Sequence, residues 1–331
     1  MIRIKKQTTL MLVGGVIAGI IVGFLFGFFL SNDDGVTTGA GEWRLGSSSF
    51  TNPLLECDLG EETLSSQKID FTSDLTHFVD DLKDTMNIED ISVYYRDLNN
   101  GPAFGINQED SFAPASLLKI PLLISYLRWA EDDPEVLEER ILFDKPVDVG
   151  YQQEFAPSVP LVPGTTYTTR ELLEHMIKYS DNQALLLLFN RIPQQYQEEL
   201  YALLGVDASL ITDPLARLTV KHYSIFFRIL FNASFLSRTH SEYALQLLSE
   251  TSFVDGLRAS VPESIPIAHK FGERKTRNDL QQFHDCGIVY YPNHPYLLCV
   301  MTRGNEVTTL IDAIRETSRF VYDEIDAQYA E

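Results

Sequence analysis

A serine and a lysine three residues apart stand at the start of a strongly apolar segment. Ser116 and Lys119 lie in the run PASLLK, residues 114–119, and the apolar segment continues to Trp129. A helix that begins near Ser116 places its hydroxyl beside the Lys119 amine, because residues three apart share a helix face. Free backbone N–H groups at the helix start favour a developing negative charge. A nucleophile, its base and part of an oxyanion hole are therefore available from four residues.

This spacing is common by chance, so the rest of the chain decides its meaning. The chain has 331 residues, 44% of them hydrophobic, which is ample for one large or two smaller domains. Its 47 acidic and 26 basic residues give a net charge of −21. No basic field is available for phosphate groups, and this argues against nucleic acid as a partner.

The first 31 residues have the pattern of a signal anchor. Arg3, Lys5 and Lys6 precede residues 10–30, an uncharged run long enough for a bilayer-spanning helix. Basic residues before such a run place the N-terminus in the cytoplasm. We therefore expect a cytoplasmic tail at 1–7, a transmembrane helix at 8–31 and an extracytoplasmic remainder. A cleaved signal peptide is the alternative, although no A-x-A-like site follows promptly.

Glycines recur at every fourth residue of this run, at Gly15, Gly19, Gly23 and Gly27. Small residues at that spacing allow two membrane helices to approach closely, which predicts a homodimer. The alternative is that glycine is simply frequent in membrane helices.

Cysteine and histidine offer neither a disulfide framework nor a metal site. The cysteines are Cys57, Cys286 and Cys299, and an odd number does not indicate a set of disulfides. One bridge remains possible, with the pair left open. The histidines form no H-x-x-x-H or H-E-x-x-H pair, so we expect no metal and no cofactor.

The remainder of the chain divides into a tether and one folded domain. Residues 32–50 are rich in Gly, Ser, Thr and Asp, so 32–66 is expected to be a flexible tether and lead-in to a domain at 67–331. Helical spacing covers 67–86 and 310–325. Residues 91–95 and 103–106 are expected to form a hairpin, and further strands are expected at 267–272, 286–291 and 296–302.

The middle of the domain, about 120–262, is expected to be a helical insertion. Residues 168–171 have the pattern of a capping box at a helix start. Further helices are expected after residue 182 and at 194–204, 219–231 and 241–249. The two ends of the domain then supply an antiparallel sheet with a helix from each end. This is an α+β architecture.

Two more polar motifs follow the Ser116 segment on these elements. Ser-Asp-Asn, residues 180–182, stands between two helices, and Lys-Phe-Gly, residues 270–272, stands on a strand. Each has a structural explanation by itself, as a helix N-cap or as a solvated lysine beside a glycine. In this order the three motifs resemble those of the penicillin-recognising serine hydrolases, most of all the class A β-lactamases and their relatives. The resemblance covers residues 67–325 and implies a β-lactamase/transpeptidase-like fold.

The resemblance implies three catalytic residues. Ser116 would be the acylated nucleophile, and Lys119 would be its base, directly or through water. Ser180 would relay a proton to the leaving nitrogen. Lys119 must then be neutral part of the time, which burial and a nearby cation such as Lys270 would favour.

The resemblance also implies four residues that bind the substrate. Asn182 would hold the substrate amide and orient Lys119, and Lys270 would support Ser180 and attract the substrate carboxylate. The oxyanion hole would consist of the Ser116 N–H and the backbone N–H of Glu273, directly after Gly272. The expected substrate is a β-lactam or a peptidoglycan stem peptide.

The chain departs from the family pattern at two places. Phe271 stands where a Thr or Ser is usual, which removes a hydroxyl that would bind the substrate carboxylate. Arg274 and Arg277, just downstream, are the candidates to replace it. Residues 190–262 contain no Glu followed four residues later by Asn, the pattern of the deacylating base. Asp207 and Asp213 are the remaining candidates in a shortened loop.

Three functions follow as hypotheses. The first is a membrane-anchored hydrolase that is acylated by β-lactams and hydrolyses them slowly, because general-base help is worth about 10²–10⁴-fold. The second is a D-Ala-D-Ala carboxypeptidase, a penicillin-binding enzyme of the cell wall. The third is a non-catalytic relative that binds peptidoglycan, although retention of all three motifs argues against it.

Overall fold

The computed structural model of the protein describes residues 42–44, 49–52, 54–57, 71–99, 101–148, 153–211, 213, 216–275 and 280–330. The chain divides into two units, residues 1–43 with 56–64 and residues 44–55 with 65–331. Of the first unit, residues 42–43 and 56–57 are described, in strands β1 (Glu42–Arg44) and β2 (Leu54–Cys57). The expected membrane helix at 8–31, with its four glycines, lies outside the described residues. Within those residues, no helix is long and apolar enough to cross a membrane.

A five-stranded antiparallel sheet organises the second unit. Its strands, in order across the sheet, are β4 (Ala103–Ile106), β3 (Asp90–Asp97), β11 (Tyr296–Gly304), β10 (Gln281–Val289) and β9 (Ile267–Lys275). The expected strands are confirmed, but β10 begins five residues before the expected start. Its polar first half has no apolar pattern, yet it is hydrogen-bonded to both neighbouring strands. Strand β9 is an edge strand.

Two helices from the ends of the domain cover one face of the sheet. They are α1 (Thr72–Thr85) and α8 (Val307–Tyr329). Leu75 and Val79 of α1 and Ile314 of α8 are fully buried against Val93 and Leu298 of the sheet. An amphipathic helix buries one stripe of its surface, so the apolar residues spaced at helical intervals in α1 and α8 are those that face this core.

The other sheet face packs against a mainly helical part of the chain. Its helices are α2 (Lys119–Asp132), α3 (Thr169–Lys178), α4 (Asn182–Phe189), α5 (Gln194–Leu204), α6 (Val220–Phe231) and α7 (Arg238–Ser249).

Short 3₁₀ turns lie at Ala115–Leu118, Pro134–Glu138, Ala208–Ile211 and Leu257–Ser260. Two small antiparallel pairs join β5 (Ser111–Phe112) to β8 (Leu218–Thr219) and β6 (Arg140–Phe143) to β7 (Thr165–Thr168). The expected capping box is present at Thr168 and Glu171, and the α+β architecture is confirmed.

Cys286 and Cys299 form a disulfide between β10 and β11. They are partners in the register of the two strands, and both are fully buried. The sequence left the pair open because only the register decides which two side chains face each other.

Thiol titration tests this pairing. Three cysteines with one disulfide are expected to give one free thiol in the unfolded, unreduced chain and three after reduction. Reduction is expected to lower the free energy of unfolding by about 3 kcal/mol, as measured by urea denaturation, because the bridge restricts the unfolded chain across a sequence separation of 13. Three thiols before reduction would contradict the assignment.

Candidate active site

Ser116 lies in a 3₁₀ turn that runs directly into α2. The turn spans Ala115–Leu118 and α2 begins at Lys119, so the helix start expected near Ser116 is present with a tighter first turn. Ala115 has a φ of 51°, in the left-handed region that costs a non-glycine residue about 1–2 kcal/mol. Strain of this kind is typical of functional sites and persists where the surroundings enforce it.

Side chains from β10 and α6 hold this turn from two sides. The Gln282 side-chain oxygen accepts a hydrogen bond from Ala113 N at 2.9 Å, and His284 Nε2 lies 3.1 Å from Ala113 O. Burial lowers the pKa of His284 to about 4, so the ring is neutral at ordinary pH. The Tyr223 hydroxyl donates to Leu117 O at 3.0 Å. These contacts fix the backbone on both sides of Ser116.

Ser180 lies at the junction of α3 and α4. The carboxylate of Asp181 caps α4, accepting from Gln183 N at 2.7 Å and from Ala184 N at 3.1 Å. The N-cap explanation of this motif therefore holds for its middle residue. Ser180 has a φ of 55° and is 1% exposed, and Asn182 is buried in the first turn of α4.

Two buried lysines bind the Ser180 hydroxyl from the two sides of the cleft. Lys119 Nζ donates to Ser180 O at 2.6 Å and to Ser180 Oγ at 3.0 Å. Lys270 Nζ donates to Ser180 Oγ at 2.9 Å and to Phe271 O at 3.0 Å. A neutral amine has two N–H groups and one lone pair. Neutral Lys119 can satisfy both of its bonds to Ser180 and still present its lone pair to another group.

Burial and mutual repulsion favour that neutral form. Burial, and then the charge of Lys270, hold the pKa of Lys119 well below its ordinary value, against the opposing pull of Asp181 and Glu273. Burial lowers the pKa of Lys270 to about 7, while Asp285 and Glu273 act to raise it. Burial and a nearby cation, the two causes expected to favour a neutral Lys119, are therefore both present in the structure.

Gly272 brings β9 close to the Ser116 turn. A Cβ atom at Gly272 would lie 3.2 Å from both Leu117 N and Pro114 O. Close approach of the two backbones therefore requires glycine here. The structure thus places the strand that carries Lys270 and Glu273 directly against the turn that carries Ser116.

Phe271 and the residues considered as replacements for the missing family groups lie in different surroundings. Phe271 is buried in the core on the side of α1 and α8, and its ring centre is 4.1 Å from Lys270 Nζ. Asp207 is exposed and accepts from Ser209 N at 2.8 Å, which is a turn-capping role. Asp213 is exposed, Arg274 is half-buried on β9, and Arg277 lies outside the described residues.

His269 lies on the opposite side of β9 from the lysines. Its Nδ1 is 2.9 Å from the buried Asp285 carboxylate, which also accepts from Leu257 N at 3.0 Å. This pair lies on the sheet face away from Ser116, because successive side chains of a strand point to opposite faces.

The side chains that hold the Ser116 turn and the contacts of the Glu273 side chain were not predicted from the sequence. No role was predicted for Gln282, His284 or Tyr223, because their contacts depend on packing between distant elements. For Glu273, only the backbone N–H was given a role; this residue is 8% exposed, and its carboxylate accepts two backbone hydrogen bonds. A charged residue within a largely buried strand was the signal available for it.

Comparison with known proteins identifies similar folds. The model of the β-lactamase enzyme family matches residues 74–325. A PBP-A variant solved as an acyl-enzyme with penicillin G is 20% identical, covering 77% of this chain and 97% of its own at a TM-score of 0.62. A β-lactamase from Chitinophaga pinensis is 23% identical, with 76% and 99% coverage and a TM-score of 0.64. A class A β-lactamase from Mycobacterium abscessus is 20% identical, with 76% and 99% coverage and a TM-score of 0.62. No curated protein sequence matches the chain.

The lowered pKa of Lys270 predicts a pH dependence of stability. Folded Lys270 loses its proton near pH 7, whereas the unfolded chain keeps that proton up to about pH 10.4. The unfolded state therefore binds the extra proton in this window, and the free energy of unfolding rises with pH, by about 1.4 kcal/mol per pH unit for each such group. Lys119 contributes in the same direction.

Urea denaturation between pH 7.5 and 9.5 measures this slope. Lys270→Met is expected to reduce it by about one proton, whereas Lys145→Met, at an exposed lysine, is expected to leave it unchanged. Equal slopes in all three proteins would mean that Lys270 is not held with a lowered pKa.

Proposed function

Because the chain belongs to the β-lactamase enzyme family of penicillin-recognising serine hydrolases, we propose that Ser116 is the residue acylated by a β-lactam amide. One observation carries the proposal: the Ser180 hydroxyl is bound by both Lys119 and Lys270, at 3.0 and 2.9 Å, beside the Ser116 turn. A nucleophile, a base held neutral by burial and a hydroxyl that can pass a proton onward then meet in one cleft.

The proposed acylation proceeds as follows. The Lys119 lone pair takes the proton from Ser116 Oγ as this oxygen attacks the amide carbonyl. The backbone N–H groups of Ser116 and Glu273 stabilise the resulting oxyanion. Lys119 returns the proton through the Ser180 hydroxyl to the amide nitrogen, and the C–N bond breaks. Lys270 keeps the Ser180 hydroxyl in place between the two sides of the cleft.

Release of the acyl group is proposed to be slow. The sequence lacks the Glu that activates water in class A β-lactamases, and Asp207 is occupied in capping a turn. General-base help is typically worth about 10²–10⁴-fold. The same reasoning supports the second candidate function, a D-Ala-D-Ala carboxypeptidase. Such an enzyme is acylated by penicillin and releases the penicilloyl group slowly. A non-catalytic peptidoglycan-binding relative is the remaining alternative.

We also propose that this domain is extracytoplasmic and held at the membrane by residues 8–31. Support comes from the uncharged run at 10–30 and the three basic residues that precede it. Protease shaving of intact cells that express the full chain is expected to remove the domain and leave the N-terminal tail protected.

Mass spectrometry of the protein with benzylpenicillin tests the acylation. We expect one added penicilloyl group per chain, located on Ser116, and no addition to Ser116→Ala. With nitrocefin, a burst of about one equivalent of product followed by slow turnover is expected, because acylation outpaces release. No labelling of the wild type, or equal labelling of Ser116→Ala, would overturn both enzymatic functions. Fast turnover without a burst would overturn slow release alone.

Gly272→Ala tests the close approach of β9 to the Ser116 turn. The added methyl group meets backbone atoms at 3.2 Å, so the strand or the turn must shift, and we expect the acylation rate to fall by about 10²-fold. Gly304→Ala, in the same sheet, is the matched control. Its methyl group meets the flexible end of the Leu310 side chain at 3.1 Å and is expected to leave acylation unchanged. Equal rates in the two variants would contradict this role of Gly272.

A further inference from the structure

Residues 153–155 are hydrogen-bonded to both sides of the cleft. On the helical side, Gln153 Nε2 donates to Ser180 O at 3.4 Å. On the sheet side, Glu154 N and Phe155 N each donate to a different carboxylate oxygen of Glu273, both at 3.1 Å. One short segment, which we call the strap, is therefore bound to both walls of the cleft. Its attachment to the sheet is the Glu273 side chain, whose own backbone N–H belongs to the proposed oxyanion hole.

Aromatic packing reinforces that attachment. The Phe155 ring packs edge-on against Phe271 and Phe253, with ring centres 5.9 and 5.3 Å apart. Phe271 is the residue that replaces the usual hydroxyl of the third motif. Residue 271 thus offers no hydroxyl to a substrate carboxylate, and its ring lies in the apolar cluster that Phe155 packs against.

The charges around this end of the cleft also oppose a carboxylate. Lys270, the cation expected to attract one, already donates to Ser180 Oγ and to Phe271 O and lies against the Phe271 ring. The Glu273 carboxylate interacts electrostatically with both Lys270 and Lys119. Burial raises the pKa of Glu273, while its hydrogen bonds from Phe155 N and Glu154 N favour the charged form. Glu154 adds an exposed carboxylate on the strap itself. A negative group placed here would meet these carboxylates, while burial, which lowers the pKa of Lys270 to about 7, reduces the positive charge available to offset them.

We propose that Glu273 is a specificity-determining residue: it ties the strap over the cleft and disfavours acyl donors that carry a free carboxylate beside the scissile amide. The preferred donors are neutral at that position, with the carboxylate esterified or amidated. This inference rests on the proposed acylation of Ser116. Specificity is a difference between two affinities, and an unfavourable charge against one donor is a sufficient means to create it.

Benzylpenicillin and its methyl ester form a matched pair of probes that differ in this one charge. The acylation rate constant of the full-length wild type is measured with each probe by mass spectrometry. Each value is divided by the rate at which hydroxide opens the same β-lactam, which removes the difference in intrinsic reactivity. The corrected ratio of ester to acid is expected to exceed one in the wild type.

Glu273→Gln removes the charge and keeps one of the two side-chain oxygens that accept from the strap. It is expected to lower the ester-to-acid ratio about tenfold, mainly by faster reaction of the acid. Glu154→Gln is expected to lower the ratio by a smaller factor, because that carboxylate is exposed and screened. Glu263→Gln, an exposed site in the segment before β9, removes one charge elsewhere and is expected to leave the ratio unchanged.

The outcomes separate the inference from the function on which it rests. No labelling by either probe above the Ser116→Ala level overturns the proposed function. Labelling with the same ratio in the wild type and Glu273→Gln overturns the inference alone. If Glu273→Gln does not fold, the wild type still decides, because a corrected ratio well below one contradicts any bias against the free carboxylate.

Discussion

The pair of hydrogen bonds from Lys119 and Lys270 to the Ser180 hydroxyl is the interaction on which the site depends. It brings the amino groups of two almost fully buried lysines to within hydrogen-bonding distance of a shared oxygen. Two like charges cannot both persist there at low cost, because burial and repulsion each disfavour the charged amine. The fold therefore favours the neutral amine of Lys119, first by burying it and then by placing the second lysine nearby.

Holding two buried amines requires support from elsewhere in the molecule. Asp181, Glu273 and Asp285 supply negative charge around the pair, and each of these carboxylates accepts backbone hydrogen bonds that keep it in place. Asp181 also caps a helix, and Asp285 also binds His269. Charges fixed in this way stabilise the site without reorganising during a reaction, which is the main advantage of a preorganised enzyme.

Strain and glycine placement bring the elements of the site together. Ala115, which precedes the proposed nucleophile, and Ser180, the proposed proton relay, both have left-handed backbone conformations. Tyr223, Gln282 and His284 hold the first of these turns, and Gly272 lets the edge strand reach it. The same edge strand carries Glu273, whose carboxylate binds the strap on the sheet side of the cleft. One strand thus contacts both the Ser116 turn and the strap.

The sequence by itself determined the elements and the three motifs. Apolar periodicity located the helices and most strands, and the spacing of Ser116 and Lys119 follows from helix geometry within one turn. What only the tertiary structure decided are the relations between distant segments: the Cys286–Cys299 pair, the supports of the Ser116 turn and the bonds of Glu273 to the strap. These depend on strand register and on packing across the two cores, which are set by contacts far apart in the chain and leave no local pattern in it.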